Sequence, residues 1–210
     1  SATITLSGGS GSAGLSTLTA GSKTLTATYN GDSNYNTGSD TEAHTVNKGS
    51  PTITITSDAS DPSTYAQAYT VAVSVTGPGV TPTGTVSLDD GDGNVSTITL
   101  SGGTGSASVT PASAGSKTLS ATYNGDANYL TDVDTEGHAV NKATPTITIT
   151  SDNPDWNNVH VAVTVNFSVS VPHGGTPTGN VIVSDDSGQS VTEDVSTGTA
   201  SIDCLAVGNR

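Results

Sequence analysis

Aspartates that lie beside turn-forming residues are the side chains of this sequence whose type and spacing could bind a metal ion. Two of them recur with a constant separation, since 152 − 58 and 155 − 61 are both 94. The candidate ligands are Asp58, Asp61, Asp89, Asp90, Asp92, Asp152 and Asp155. Convergent carboxylate oxygens are the ligands that Ca²⁺ prefers. The pattern therefore admits Ca²⁺ as a bound ion, and no other cofactor is expected.

A purely structural interpretation of the same aspartates stays open beside the metal interpretation. The segment 90–94, DGDGN, resembles the start of a calcium-binding loop. Val95 stands where that loop requires glycine, and Ser101 stands where it requires its terminal glutamate, so the segment is not an EF-hand loop. Asp, Gly and Asn are also the common residues of turns. The aspartates are therefore either metal ligands or turn formers.

Residue types that carry catalysis or bind zinc are sparse. Cys204 is the only cysteine, which excludes a disulfide within the chain and a cysteine-based metal cluster. His44 and His138 are equivalent positions one repeat apart, and neither has a cysteine or second histidine at ligand spacing. Neither a Gly-x-Ser-x-Gly elbow nor a recognisable Ser, His and Asp grouping occurs. We therefore expect no zinc site and no enzymatic activity.

Charge and hydropathy exclude two classes of partner. The formal net charge is −14, from 19 acidic and 5 basic residues, so the chain offers no basic surface to nucleic acid. No segment approaches the roughly 18 consecutive apolar residues that a membrane span requires. We expect neither nucleic acid nor a membrane span for this segment.

An internal repeat is the strongest regularity of the sequence. The segment 23–35, KTLTATYNGDSNY, recurs at 117–129 as KTLSATYNGDANY, and 117 − 23 is 94. The segment 51–58, PTITITSD, recurs without change at 145–152. This register predicts three domains. They are 1–48, the C-terminal part of a repeat; 49–142, a complete repeat; and 143–210, the N-terminal part of a repeat.

Turn residues divide the complete repeat into seven short segments with the alternation of half-buried strands. These predicted strands, A to G, are 52–56, 69–76, 85–88, 95–100, 106–110, 117–123 and 135–140. Seven antiparallel strands of this length predict an all-β fold of two packed sheets. The first partial repeat matches strands D to G, and the last matches A to E. Alternation buries Leu119 and its equivalent Leu25, so replacing either by alanine is expected to cost a few kcal/mol.

The motif T-A-T-Y-N-G-D-x-N-Y, followed by a V-N-K linker, resembles the tandem repeat of bacterial Ig-like domains. The similarity spans nearly the whole chain. It implies tandem immunoglobulin-like antiparallel β-sandwiches of about seven strands each. Such repeats are strung end to end in secreted or cell-surface proteins as stalks, spacers or adhesin arms. The resemblance implies an extracellular location and brings no catalytic residue with it.

We expect a non-catalytic structural module of an extracellular fibre, stalk or surface layer, able to polymerise head to tail. Its partners would be further copies of itself or other surface proteins. The alternative is an adhesin arm that binds carbohydrate or a host or matrix protein, for which Trp156 could stack on a sugar ring. Two explanations of the partial repeats stay open: neighbouring residues of a longer chain complete them, or a second copy does.

Overall fold

The computed structural model describes residues 1–17, 19–153, 162–186 and 188–203. Within these ranges the chain forms β-strands and one 3-10 helix, Val195–Thr197, and no helix there is long and apolar enough to cross a membrane. The strands are β1 (Gly21–Tyr29), β2 (Gly38–Val46), β3 (Thr52–Ser57), β4 (Ser63–Thr64), β5 (Tyr69–Thr76), β6 (Thr85–Asp89), β7 (Val95–Thr99), β8 (Thr104–Val109), β9 (Gly115–Tyr123), β10 (Asp132–Asn141), β11 (Thr146–Asn153), β12 (Ala162–Ser170), β13 (Asn180–Ser184), β14 (Ser190–Asp194) and β15 (Thr199–Asp203). The predicted all-β fold class is confirmed.

The chain divides into two compact units. The first comprises Ser1–Ser63, Ala68–Val109 and Ser116–Ala139. The second comprises Thr64–Gln67, Thr110–Gly115 and Val140–Arg210. The complete repeat, residues 49–142, is called the central module below. Its hydrophobic core lies in the first unit.

Two antiparallel sheets build the central module. One has the strand order β3-β5-β8, and the other has the order β4-β10-β9-β6-β7. Ile55 lies opposite Val73 in the first sheet, and Leu88 lies opposite Ala121 in the second. All seven predicted strands are present, and the largest difference is at β10, which begins at Asp132 rather than at residue 135. The structure adds β4, whose two residues are too few for alternation to reveal.

The core lies between the two sheets and consists of the inward residues of each strand. On β5, Val71, Val73 and Val75 are at most 2% exposed, and on β9 Leu119 and Tyr123 are 0% exposed. Fully burying a valine or leucine side chain contributes about 1.5–3 kcal/mol. The alternation of these strands therefore predicted their buried faces correctly.

Strand β1 has nearly the same sequence as β9 but a different environment. Strands β1 and β2 form a sheet of their own, and Leu25 is 36% exposed. The prediction that alternation buries Leu25 as it buries Leu119 is therefore wrong, because much of this side chain reaches solvent. The expected cost of Leu25→Ala is accordingly smaller than that of Leu119→Ala. Strands D and E of the first repeat are not formed, and a bridge between Ser7 and Ser10 marks their turn. In the central module strand E pairs with β5, which has no equivalent in residues 1–48.

The strands of residues 143–203 follow the predicted order A to E. One sheet has the order β11-β12-β15, and β13 and β14 form the other. Phe167 and Ile202 are 5% and 7% exposed. Ile147 and Ile149 on β11 are 56% and 63% exposed. Among the described residues, the isoleucines of β11 are therefore far more exposed than their equivalents on β3, Ile53 and Ile55.

Candidate functional site

Two of the predicted metal ligands lie together with a histidine at one end of the central module. Asp58 follows β3, Asp61 lies in the loop to β4, and His138 lies on β10. The Asp58 Oδ2 atom is 2.9 Å from His138 Nδ1, and Asp61 Oδ1 is 3.7 Å from the same nitrogen. One donor atom of each residue lies within 4.8 Å of the other two, which is close enough to share a metal ion.

The His138 ring is buried and fixed on three sides. Its side chain is 0% exposed. Nε2 lies 2.8 Å from Ser63 Oγ, and Tyr69 stacks on the ring with centroids 4.0 Å apart. On β10, His138 and Val140 are both buried, as the two-residue period of a strand requires. Alternation could therefore have indicated an inward histidine, but it could not indicate the contact with Asp58, which is 80 residues away.

Ser63, His138 and Asp58 are connected in the order of a serine-hydrolase triad. Ser63 is only 5% exposed. A nucleophile must reach a substrate carbonyl, which a buried hydroxyl cannot do. Asp61 Oδ1 also accepts a hydrogen bond from Ala139 N at 2.8 Å. We interpret these contacts as a network that ties the loop between β3 and β4 to β10.

Replacing Ser63 by alanine is expected to lower the free energy of unfolding by about 1–2 kcal/mol, because a buried imidazole nitrogen loses its partner. Thermal unfolding followed by circular dichroism measures the change. Ser60→Ala, at an exposed position of the same loop, is the matched control. Equal unfolding midpoints for the two variants would contradict the network.

The aspartates of the hairpin between β6 and β7 lie at the same end of the module. Burial, and then the charges of four carboxylates, raise the pKa of Tyr69 to about 12. In falling order of effect the carboxylates are Asp90, Asp58, Asp92 and Asp61. The carboxylates of the two loops therefore lie close enough to Tyr69 to act on it together.

Donors of the same module already occupy the carboxylates of this hairpin. Asp90 Oδ1 accepts hydrogen bonds from Asp92 N at 2.8 Å and Asn94 N at 3.1 Å. Asp89 Oδ1 accepts from Gly91 N at 2.9 Å. Asp92 Oδ1 lies 2.6 Å from Lys117 Nζ, and both side chains are 9% exposed. These contacts favour the turn-forming interpretation for this group.

The other predicted ligands belong to the last repeat. Asp152 lies exposed on β11, opposite Val165 of β12. Asp155 lies outside the described residues, as do Trp156 and Cys204. Their expected roles in metal or sugar binding remain predictions.

The paired sheets of the central module define an immunoglobulin-like β-sandwich. Residues 55–150 match the family model of the bacterial Ig-like domain (group 3). The resemblance predicted from the repeat motif is thereby confirmed for this segment, which is slightly less than half of the 210 residues. Domains with this fold are typically non-catalytic.

Two solved structures resemble the chain at low sequence identity. A crystal structure of a tetra-tandem repeat in the extending region of a large adhesion protein has a TM-score of 0.46 and 20% identity, and the match covers 90% of this chain. The chain spans 50% of the length of that structure. Fibronectin(III)-like modules of Clostridium thermocellum CbhA have a TM-score of 0.36 and 15% identity, with 76% of this chain and 97% of that chain covered. No curated protein matches the chain.

Proposed function

We propose that this chain is a non-catalytic structural segment of an extracellular fibre, stalk or surface layer, in which repeated sandwiches act as spacers. The proposal rests on the hydrogen bonds that connect the hairpin β1–β2 to the central module. This connection is called the joint below. Domains joined by a flexible linker move independently by default, so a spacer needs contacts that hold its joints. The bacterial Ig-like segment 55–150 is consistent with a structural or adhesive module at a surface.

The linker after β2 pairs with the turn after β9. Gly49 N donates to Asn128 O at 2.8 Å, and Leu130 N donates to Gly49 O at 3.0 Å. The side-chain oxygen of Asn128 accepts a hydrogen bond from Ala20 N at 3.0 Å, immediately before β1. The turn therefore bonds to residues on both sides of the hairpin β1–β2, which restricts its motion.

Tyr129 packs behind the same joint, inside the central module. Its side chain is buried, and its hydroxyl donates to Pro78 O at 2.6 Å. A Cβ atom at Gly77 would lie 2.4 Å from Tyr129 Cε1, so only glycine fits beside the ring. Asn128 and Tyr129 are the last two residues of the repeated motif N-G-D-x-N-Y. This supports a role for the motif as the marker of a joint.

Replacing Asn128 by alanine is expected to loosen the joint, because the hydrogen bond from Ala20 is lost. ¹⁵N relaxation should then report a shorter rotational correlation time for β1 and β2 than for β9. Asn34→Ala is the matched control, since 128 − 94 is 34 and Asn34 is exposed. Unchanged correlation times in the Asn128 variant would contradict the spacer proposal.

Head-to-tail self-association is the second part of the proposal. In the central module β6 pairs with β9, with Val86 opposite Tyr123. Their equivalents β13 and β1 each have one paired neighbour in the described part of the chain, in the sheets β13-β14 and β1-β2. An open strand edge can pair with a strand of matching sequence. A second copy in the same register would place Tyr29 opposite Val181.

A proline at the open edge of β1 tests this pairing. Asn124 N donates to Thr85 O on β6. Backbone N–H groups that point to the same neighbouring strand lie two residues apart, so the N–H of Thr122 also faces β6. Its equivalent in β1 is Thr28. Thr28→Pro removes the edge N–H without removing a bond to β2, whereas the control Thr28→Val keeps that N–H. Sedimentation velocity is expected to show concentration-dependent assemblies for the parent chain and Thr28→Val, and single chains for Thr28→Pro.

Single parent chains at every concentration would contradict self-association. The Asn128 experiment would then decide the spacer role independently, because it measures a joint within one chain. Saturable binding of single chains to a carbohydrate or matrix protein would favour the alternative of an adhesin arm.

A further inference from the structure

Two of the three distances among the donor atoms of Asp58, Asp61 and His138 are close to those of a tetrahedral metal site. Zinc binds imidazole nitrogen and carboxylate oxygen at about 2.0–2.2 Å, which places neighbouring ligand atoms about 3.4 Å apart. The separations of 2.9 Å and 3.7 Å from His138 Nδ1 to the two carboxylates bracket that distance. Small side-chain movements would therefore suffice to enclose an ion.

His138 supplies an observation independent of the two acidic residues. The ring is buried, and its Nδ1 atom points at the carboxylates. On the opposite side Ser63 Oγ lies 2.8 Å from Nε2, and metal-bound histidines characteristically donate their second N–H to such a partner. The serine hydroxyl can donate or accept, so it can stabilise the tautomer that leaves Nδ1 bare. The buried histidine is thus held in an orientation suited to a ligand.

The carboxylate side of the cluster is open to solvent while the histidine side is closed. The Asp58 and Asp61 side chains are 15% and 41% exposed, against 0% for His138. A cation can therefore reach the site, and water can occupy a remaining position.

We propose that Asp58, Asp61 and His138 bind one divalent cation of the zinc class, with water as the fourth ligand. An imidazole nitrogen with two carboxylates suits this class, whereas Ca²⁺ takes six to eight oxygen ligands. Asp90 and Asp92 do not extend the shell, because they accept hydrogen bonds from their own hairpin and from Lys117. This goes beyond the spacer function, and it differs from the sequence-based expectations of Ca²⁺ and of no zinc site.

Metal titration of the whole chain by isothermal calorimetry tests the site. Every variant is made in a background that carries Cys204→Ser, because the only cysteine of the sequence could itself bind zinc. Asp61→Asn is the main variant, since its amide oxygen can still accept the hydrogen bond from Ala139. His44→Gln is the matched control at the equivalent exposed histidine. Asp58→Asn is the second variant, and NMR spectra verify that each variant is folded.

One Zn²⁺ per chain is expected in the background and in His44→Gln, with affinity at least about tenfold weaker in Asp61→Asn and Asp58→Asn. Co²⁺ should give the intense visible absorption of a tetrahedral site, and Zn²⁺ should shift the ¹⁵N resonance of His138 Nδ1. Equal affinity in the background and both aspartate variants would overturn the proposal. Tighter binding of Ca²⁺ than of Zn²⁺ would overturn the assignment of metal class. Neither result depends on self-association or on the joint.

Discussion

Leu119→Ala is expected to lower the free energy of unfolding of the central module by about 3 kcal/mol, the largest effect of any change considered for this chain. Leu119 is 0% exposed and packs among the buried residues of both sheets. Shortening it removes buried apolar surface and leaves a cavity that close-packed neighbours fill only in part. Urea unfolding followed by amide signals of β5 and β9 reports on this module alone.

The equivalent change in the first repeat provides an internal control. Leu25 lies one repeat earlier, in a strand that differs from β9 by one residue between 23 and 29. It is 36% exposed, so Leu25→Ala is expected to cost less than about 1 kcal/mol. Equal losses in the two variants would show that Leu25 is buried as deeply as Leu119 and would contradict the fold described for the hairpin.

Replacing Asp126 by asparagine is also expected to destabilise the central module, because its carboxylate accepts several hydrogen bonds. Burial disfavours its charged form, but hydrogen bonds from Thr83, Asn128 and Tyr129 outweigh burial and lower its pKa to about 2. Oδ2 accepts from Thr83 N and Thr83 Oγ1 at 2.9 Å each, which links the turn after β9 to the loop before β6. Asp126→Asn leaves one oxygen to serve these donors and is expected to cost about 1.5 kcal/mol at neutral pH.

The pH dependence of Asp126 follows from the direction of its pKa shift. An unfolded aspartate titrates near pH 3.9, so its stabilisation is complete above roughly pH 4. It is lost as the pH falls from there through about 2, where the folded carboxylate is protonated. The difference in stability between the parent and Asp126→Asn should therefore shrink as the solution is acidified through this window. A difference independent of pH would contradict the ionised hydrogen-bonded carboxylate.

Asp32→Asn is the matched control for this experiment. Asp32 is the equivalent residue of the first repeat, and hydrogen bonds from Asn34, Tyr29 and Tyr35 lower its pKa. It is exposed and makes no bond to the central module among the described contacts. Its replacement should leave the unfolding of the central module unchanged at every pH.

Strand positions could be predicted from the sequence because strand alternation and turn residues are local properties. Leu25 and Leu119 show that these local properties do not predict burial. Their strands have nearly the same sequence, yet one side chain is exposed and the other is buried. Burial depends on the sheet that faces a strand, which the strand's own residues do not encode. β4 was missed for a related reason, since its pairing with β10 depends on the neighbouring fold.

The candidate site could be predicted only in part. Asp58 and Asp61 follow a recognisable strand, so their place in the loop after β3 could be predicted. His138 was not among the predicted ligands, because the register of β10, rather than any spacing in the sequence, brings it to Asp58. At Asp90 and Asp92 the spacing could not reveal that donors of their own hairpin and Lys117 bond to the carboxylates. Metal binding by these two residues stays a prediction.

These modules are expected to build an extended structural assembly. Electron microscopy of the native protein, with Thr28→Pro prepared in parallel, shows whether they do. Filaments with regularly spaced, module-sized beads are expected for the native chain, and only short particles for the variant. Short isolated particles in both preparations would contradict this expectation.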